Sequence, residues 1–103
     1  MIQAIQVKIR ARQYEFSRHA LDQSIQRDIS ISEFEDAMLG DVEIIEDYPN
    51  DKYGPSCLLL GVTCLGRALH VLCGYPSRPL LKVITLYEPD PARWIDSRLR
   101  RDS

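Results

Sequence analysis

Few of the residues that build a special-purpose site are present in this sequence. Its 103 residues include three cysteines, two histidines and one tryptophan. An odd cysteine count with no C-x-x-C pair excludes a disulfide framework. Cys57, Cys64 and Cys73 fall in or beside apolar runs and read as reduced, buried thiols. Two histidines without a clustered carboxylate or thiolate make a poor metal site, so neither a metal nor a cofactor is expected. No glycine-rich phosphate loop and no serine elbow occur, which removes the common nucleotide-binding and hydrolase motifs. Long apolar runs are also missing. The longest, Cys57–Val62, falls far short of the roughly 20 residues that span a bilayer. Met1–Gln13 lacks the continuous apolar stretch of a secretory leader. The expectation is a cytoplasmic protein with no membrane contact.

What is present suits one globular domain spanning residues 1–103. The 45% hydrophobic content is ordinary for that size and requires no covalent staple. The net charge of −2 hides a segregation. Residues 1–27 carry five Lys/Arg against two acids, residues 28–51 carry nine acids and no base, and residues 52–103 carry eight bases against four acids. An acidic strip between basic segments implies either a dipolar surface, with separate faces for an anion and a basic partner, or ordinary solvated faces.

The hydrophobic period divides the chain in two. Ile2, Ile5 and Ile9 are spaced for a short helix, and Tyr14–Phe16 reads as a brief extended link. Ser17 is placed to cap a helix over about Arg18–Arg27, with Leu21 and Ile25 as its core stripe. His19, Gln23 and Arg27 then share the face away from the core. Ser30 and Glu33 form a capping box, Ile29 and Phe34 stand at staple positions, and Gly40 stands where a glycine cap belongs. From Asp41 the period becomes two. Val42–Asp47, Cys57–Thr63, Ala68–Cys73 and Leu81–Tyr87 read as strands, with Cys57–Val62 central and a tight hairpin at Cys64–Arg67. Asp90–Pro91 predicts a short C-terminal helix whose Trp94 packs on the sheet. The fold class is α+β: N-terminal helices on a four-stranded, mainly antiparallel sheet.

The polar residues left for chemistry are dispersed. His19, Gln23 and Arg27 line one helix face, His70 sits mid-strand with Arg67 just before it, and Tyr87 ends the last strand. Each has a plain structural role open to it: a packed core histidine, a surface histidine, an aromatic cap, an arginine paired with Asp28 or Glu33. Together they suit metal-free RNA cleavage, in which the 2′-hydroxyl attacks its own phosphorus. That reaction needs a base, an acid and cations around the charged phosphorane, and no outside nucleophile.

Several stretches resemble the family called domain of unknown function 4258. They are Tyr14-Glu-Phe-Ser-Arg-His-Ala-Leu, Arg27-Asp-Ile-Ser, Ile44-Ile-Glu-Asp-Tyr-Pro-Asn-Asp, Pro55-Ser-Cys-Leu-Leu-Leu-Gly, Arg67-Ala-Leu-His-Val-Leu and Ile84-Thr-Leu-Tyr-Glu-Pro-Asp-Pro, followed by Trp94. The resemblance runs from about residue 10 to 98. It implies the small fold of RelE-like toxins and bacterial ribonucleases, with a cognate antitoxin of the small zinc-finger kind as partner. It places His19, Arg27, His70 and Tyr87 at the family's polar motif positions. The resulting expectation is a toxin-type endoribonuclease without metal. His19 and His70 would act as acid and base, Tyr87 would position the phosphate, and Arg27, Arg67 and Gln23 would bind RNA. The alternatives are a non-enzymatic interaction module whose acidic strip Glu33–Asp51 binds a basic partner, and a homo-oligomer built through a sheet edge.

Overall fold

A computed structural model describes residues 1–102. Helix α1 (Ile2–Arg10) buries Ile5 and Ile9, as their spacing predicts. Tyr14–Phe16 is more than a link. It forms strand β1, paired in parallel with β5 (Leu81–Tyr87) in the register Tyr14↔Leu81 to Phe16↔Val83. Three residues are too short to show alternation, and their partner strand is distant in sequence, so no local pattern marks them. The sheet therefore has five strands, not four, and is mixed. Its order is β1-β5-β4-β3-β2, where β2 is Glu43–Tyr48, β3 Ser56–Val62 and β4 Ala68–Gly74. β3 pairs on both sides and is buried from Ser56 to Gly61, as expected of a central strand.

Ser17 caps α2 (Arg18–Gln26), its hydroxyl accepting the Ala20 N–H at 3.0 Å. The buried side of α2 differs from the expected stripe. Ala20 and Ser24 are buried, while Leu21 and Ile25 are 48% and 71% exposed. Small residues let α2 lie close against β5, and a leucine stripe would hold it off. Helix α3 (Ile31–Met38) carries the full capping box, with Ser30 and Glu33 satisfying each other's backbone N–H, and Ile29 and Phe34 are both buried. Gly40 does not take the left-handed cap conformation; Leu39 ends the helix in the right-handed region. The carbonyls left over at that end, those of Met38 and Gly40, accept from Gln6 Nε2 at 3.1 and 2.9 Å instead.

All three helices contribute to one core. Ile5, Ile9, Ala20, Phe34 and Met38 meet Leu59, Leu69, Val71, Val83 and Leu86 on one face of the sheet. At Gly61 a Cβ would sit 2.5 Å from the Ala37 carbonyl oxygen, so α3 crosses β3 where only glycine fits. The thiols of Cys57 and Cys73, opposite one another on β3 and β4, lie in this core. Cys64 is exposed, contrary to expectation, because it sits in the turn between β3 and β4, where its N–H donates to Asp36 of α3 at 2.7 Å.

The predicted C-terminal helix is absent. Arg93 N and Trp94 N reach the Asp90 carbonyl at 2.8 and 3.0 Å, and Asp90 Oδ1 accepts from Ala92 N, which starts a turn. Asp96 and Ser97 then adopt φ of 51° and 61°, and the chain reverses into a two-stranded hairpin, β6 (Trp94–Ile95) and β7 (Leu99–Arg100). The reversal carries Arg98 and Arg100 back to Glu43 and Glu46 of β2. Four of the nine acids of the central strip, Glu33, Glu35, Glu43 and Glu46, thus meet arginines within the chain. Among the described residues, no helix is long and apolar enough to cross a membrane.

Candidate active site

Alternation along β4 sends Leu69, Val71 and Cys73 to the helical side and His70 and Leu72 to the other. His70 is paired with Tyr87 across β4 and β5 and has no exposed surface. Its Nε2 lies 2.6 Å from the Ser97 carbonyl oxygen and its Nδ1 3.2 Å from the Tyr87 hydroxyl. A carbonyl only accepts, so Nε2 carries the proton and Nδ1 accepts from Tyr87. The Trp94 ring meets the imidazole edge-on at 4.5 Å between centroids. Burial holds the imidazole below its ordinary pKa, with the Ser97 carbonyl and Glu46 acting weakly the other way. Burial likewise raises the Tyr87 phenol. At neutral pH the two form an uncharged pair.

Tyr87 is the upper member of this pair and lines an open cleft of ≈ 440 Å³ between α2 and the C-terminal segment. Gln23 and Arg27 enter it from α2, and Arg93, Trp94 and Arg100 from the opposite wall. Arg100 is occupied: it ion-pairs with Glu46 and lies 4.6 Å from the Trp94 ring centre. Arg27 and Arg93 form no ion pair among the described residues. Of the two acids lining the cleft, Glu88 is paired with Arg67 and Asp90 caps the following turn. Two unpaired guanidinium groups therefore border the phenol. Gln23 is partly committed, because its Oε1 accepts Leu86 N–H at 3.1 Å and pins α2 to the edge of β5 beyond the end of β1.

The remaining sequence-predicted residues lie elsewhere. Arg67 is spent inside the fold. It donates to Glu33, Glu88 and the carbonyls of Arg27 and Asp28, all at 2.8–2.9 Å. Its hydrogen bonds to Glu88 and Glu33 raise its already high pKa further, and it does not line the cleft. His19 is exposed one turn before Gln23 and does not line the cleft, so the two imidazoles do not border one patch. Arg93, Ser97 and Arg100 did not stand out in the sequence, and Trp94 was expected on a helix packed on the sheet rather than on the wall of a cleft. The signal for them was the arginine cluster beside a lone tryptophan, which a helical reading of that segment dispersed. Among the described residues, no three His, Cys, Asp or Glu side chains gather as metal ligands would. A second cavity, ≈ 480 Å³ beside Tyr48, Pro49, Asp51, Ser56 and Leu72, has no lysine or arginine in its lining.

Residues 16–88 match the model of the family described as Domain of unknown function (DUF4258). The chain belongs to this family. No curated protein and no solved structure matches it. The segment matched to DUF4258 contains His19, Gln23, Arg27, Arg67, His70 and Tyr87, whereas α1 and the β6–β7 hairpin lie outside it.

Proposed function

We propose that this DUF4258 domain is a metal-independent endoribonuclease, the toxin of a bacterial toxin–antitoxin pair with a RelE-like relationship, cutting RNA by 2′-hydroxyl attack. The observation that carries the proposal is that Tyr87 lines a cleft with unpaired Arg27 and Arg93 while its hydroxyl is hydrogen-bonded to the buried His70. In this scheme an RNA phosphate rests between the two guanidinium groups, which stabilise the charge that grows on the phosphorane. The 2′-hydroxyl passes its proton to Tyr87 Oη as Tyr87 passes its own to His70 Nδ1. The oxygen attacks phosphorus, the bond to the 5′-oxygen breaks, and water in the open cleft protonates the leaving oxygen. The imidazolium so formed keeps its Nε2–H on Ser97 O, with Glu46 nearby to favour the charge. His19 has no step in this scheme, and Arg67 acts by fixing the backbone of Arg27. Removing such a general base costs about 10²–10⁴-fold in rate. Tyr87→Phe should therefore lose activity to that extent on RNA in EDTA while remaining folded, with a stability loss of about 1–3 kcal/mol from the unpaired His70 Nδ1. The parent should leave 2′,3′-cyclic phosphate ends. A Tyr87→Phe protein with full activity, or products bearing only 3′-hydroxyl ends, would overturn the scheme.

The sealed position of His70 and the internal use of Arg67 also support a second reading, a binding module without catalysis. A purified protein that binds RNA or a small zinc-finger antitoxin but never cuts, and whose induction leaves growth unchanged, would establish that one.

A further inference from the structure

The outer face of β5 continues beyond the cleft. Leu81 and Val83 point into the core, so Lys82 stands on the opposite face, the same one as Tyr87. Ile84 is an extra residue where the β4–β5 register slips from Thr85 to Val83, which lets positions five apart share a face. Four paired positions at about 3.3 Å put the two roughly 13 Å apart along the strand. Ile84 and Thr85 are half-buried between them and form an uncharged floor. At the Lys82 end a small hollow of ≈ 70 Å³ is shared by Lys82, Ile84, Arg78, Tyr53 and Tyr75. Neither Arg78 nor Lys82 forms an ion pair among the described residues. Glu15 is the register partner of Lys82 on β1 but makes no ion pair with it. Tyr53 is 83% exposed, with Lys52 Nζ 4.9 Å from its ring centre. An exposed aromatic ring, with Lys52 over one face and two unpaired cations beside it, suits a splayed base stacked on the other face and its flanking phosphates.

We propose that the Tyr53–Arg78–Lys82 corner is a second RNA subsite, so that a single strand lies along the outer face of β5 between this corner and the Arg27–Arg93 cleft. The proposal rests on reading the cleft as an RNA site, and it adds the direction and length of the bound strand. Arg78 and Lys82 hold phosphates a few nucleotides from the one at Tyr87, and Tyr53 stacks on a base.

Fluorescence anisotropy with cleavage-resistant 2′-O-methyl oligouridines tests it, using a dodecamer and a trimer against the full chain. The parent should bind the dodecamer more tightly than the trimer. Arg78→Glu with Lys82→Glu should weaken dodecamer binding about tenfold and remove the advantage of the longer probe. The double variant should also lower the salt dependence of log Kd by about 1.4, the amount expected for two phosphate contacts on a single strand. Tyr53→Ala should cost about fivefold or more. All three side chains are exposed, so the melting curves should not move. If Arg27→Glu abolishes dodecamer binding while the double variant binds like the parent, the second subsite is wrong and the cleft stands. If the parent binds neither probe, both fall. Preference for a duplex over the single strand would also overturn the proposed path.

Discussion

The two faces of the sheet are built on different principles. The helical face is closed by shape. Phe34, Met38, Leu59 and Leu69 are fully or almost fully buried, and Gly61 admits the α3 backbone where a methyl group would collide. The other face is closed by polar bonds across a small hairpin: Ser97 O on His70, Arg98 on Glu43 and Arg100 on Glu46. Apolar packing is non-directional and cooperative, so the first face should set the stability of the domain. Solvent-facing ion pairs contribute little, so the second face should open at much lower cost.

The largest expected effect lies on the helical face. Phe34, with no exposed surface, packs against both Tyr14 and Phe16 at ring separations of 5.2 and 5.1 Å. Phe34→Ala should lower the unfolding free energy by about 3–5 kcal/mol in urea titrations. A loss under about 1 kcal/mol, well below the range for such a truncation, would mean that the helices are not what holds the sheet.

On the hairpin face, Trp94→Ala should cost less, about 1–3 kcal/mol, because undocking of the hairpin limits the penalty. Its clearer signature is in His70. With the indole gone, water reaches the ring, and the imidazole pKa followed by NMR should rise from its depressed position toward 6.5. An unmoved histidine resonance would show that Trp94 is not its cover.

The smallest effect is a pH slope. The folded chain keeps His70 neutral where the unfolded chain has begun to protonate. Stability should therefore decline as pH falls below the unfolded value near 6.5 and level off once the depressed folded value is passed. Glu33, Glu46 and Glu88 are held below the usual carboxylate range with their partner arginines, so their loss comes only in more acid solution, through and below 4.5. Urea midpoints between about pH 7.5 and 5.5 should fall for the parent and stay flatter for His70→Phe. Equal slopes would remove His70 as the cause.

The parts of the fold readable in advance were those written in local grammar. The Ser30–Glu33 box, the Ser17 cap and the four long strands each depend on residues only a few positions apart. The parts that escaped depend on distant partners. Tyr14–Phe16 becomes a strand only because β5 offers an edge, and α2 turns Leu21 and Ile25 outward because Ala20 and Ser24 allow closer packing on β5. At the site, periodicity placed Gln23 and Arg27 on one stripe, and both do line the cleft with Tyr87. Nothing local revealed that Arg67 would be consumed by two carboxylates and two carbonyls, or that Ser97 would reach His70.

Ser97 and the ring it holds come from different parts of the chain. The DUF4258 match ends at residue 88, one position after Tyr87, so the histidine and its tyrosine lie within the matched segment, while the carbonyl that fixes the ring and the indole that seals it lie beyond it. The hairpin after residue 88 thus decides the personality of this imidazole. With this hairpin it is a neutral ring in a single tautomer, reached only through a phenol. Without this hairpin the same ring would face solvent, free to choose its tautomer and take up its own proton.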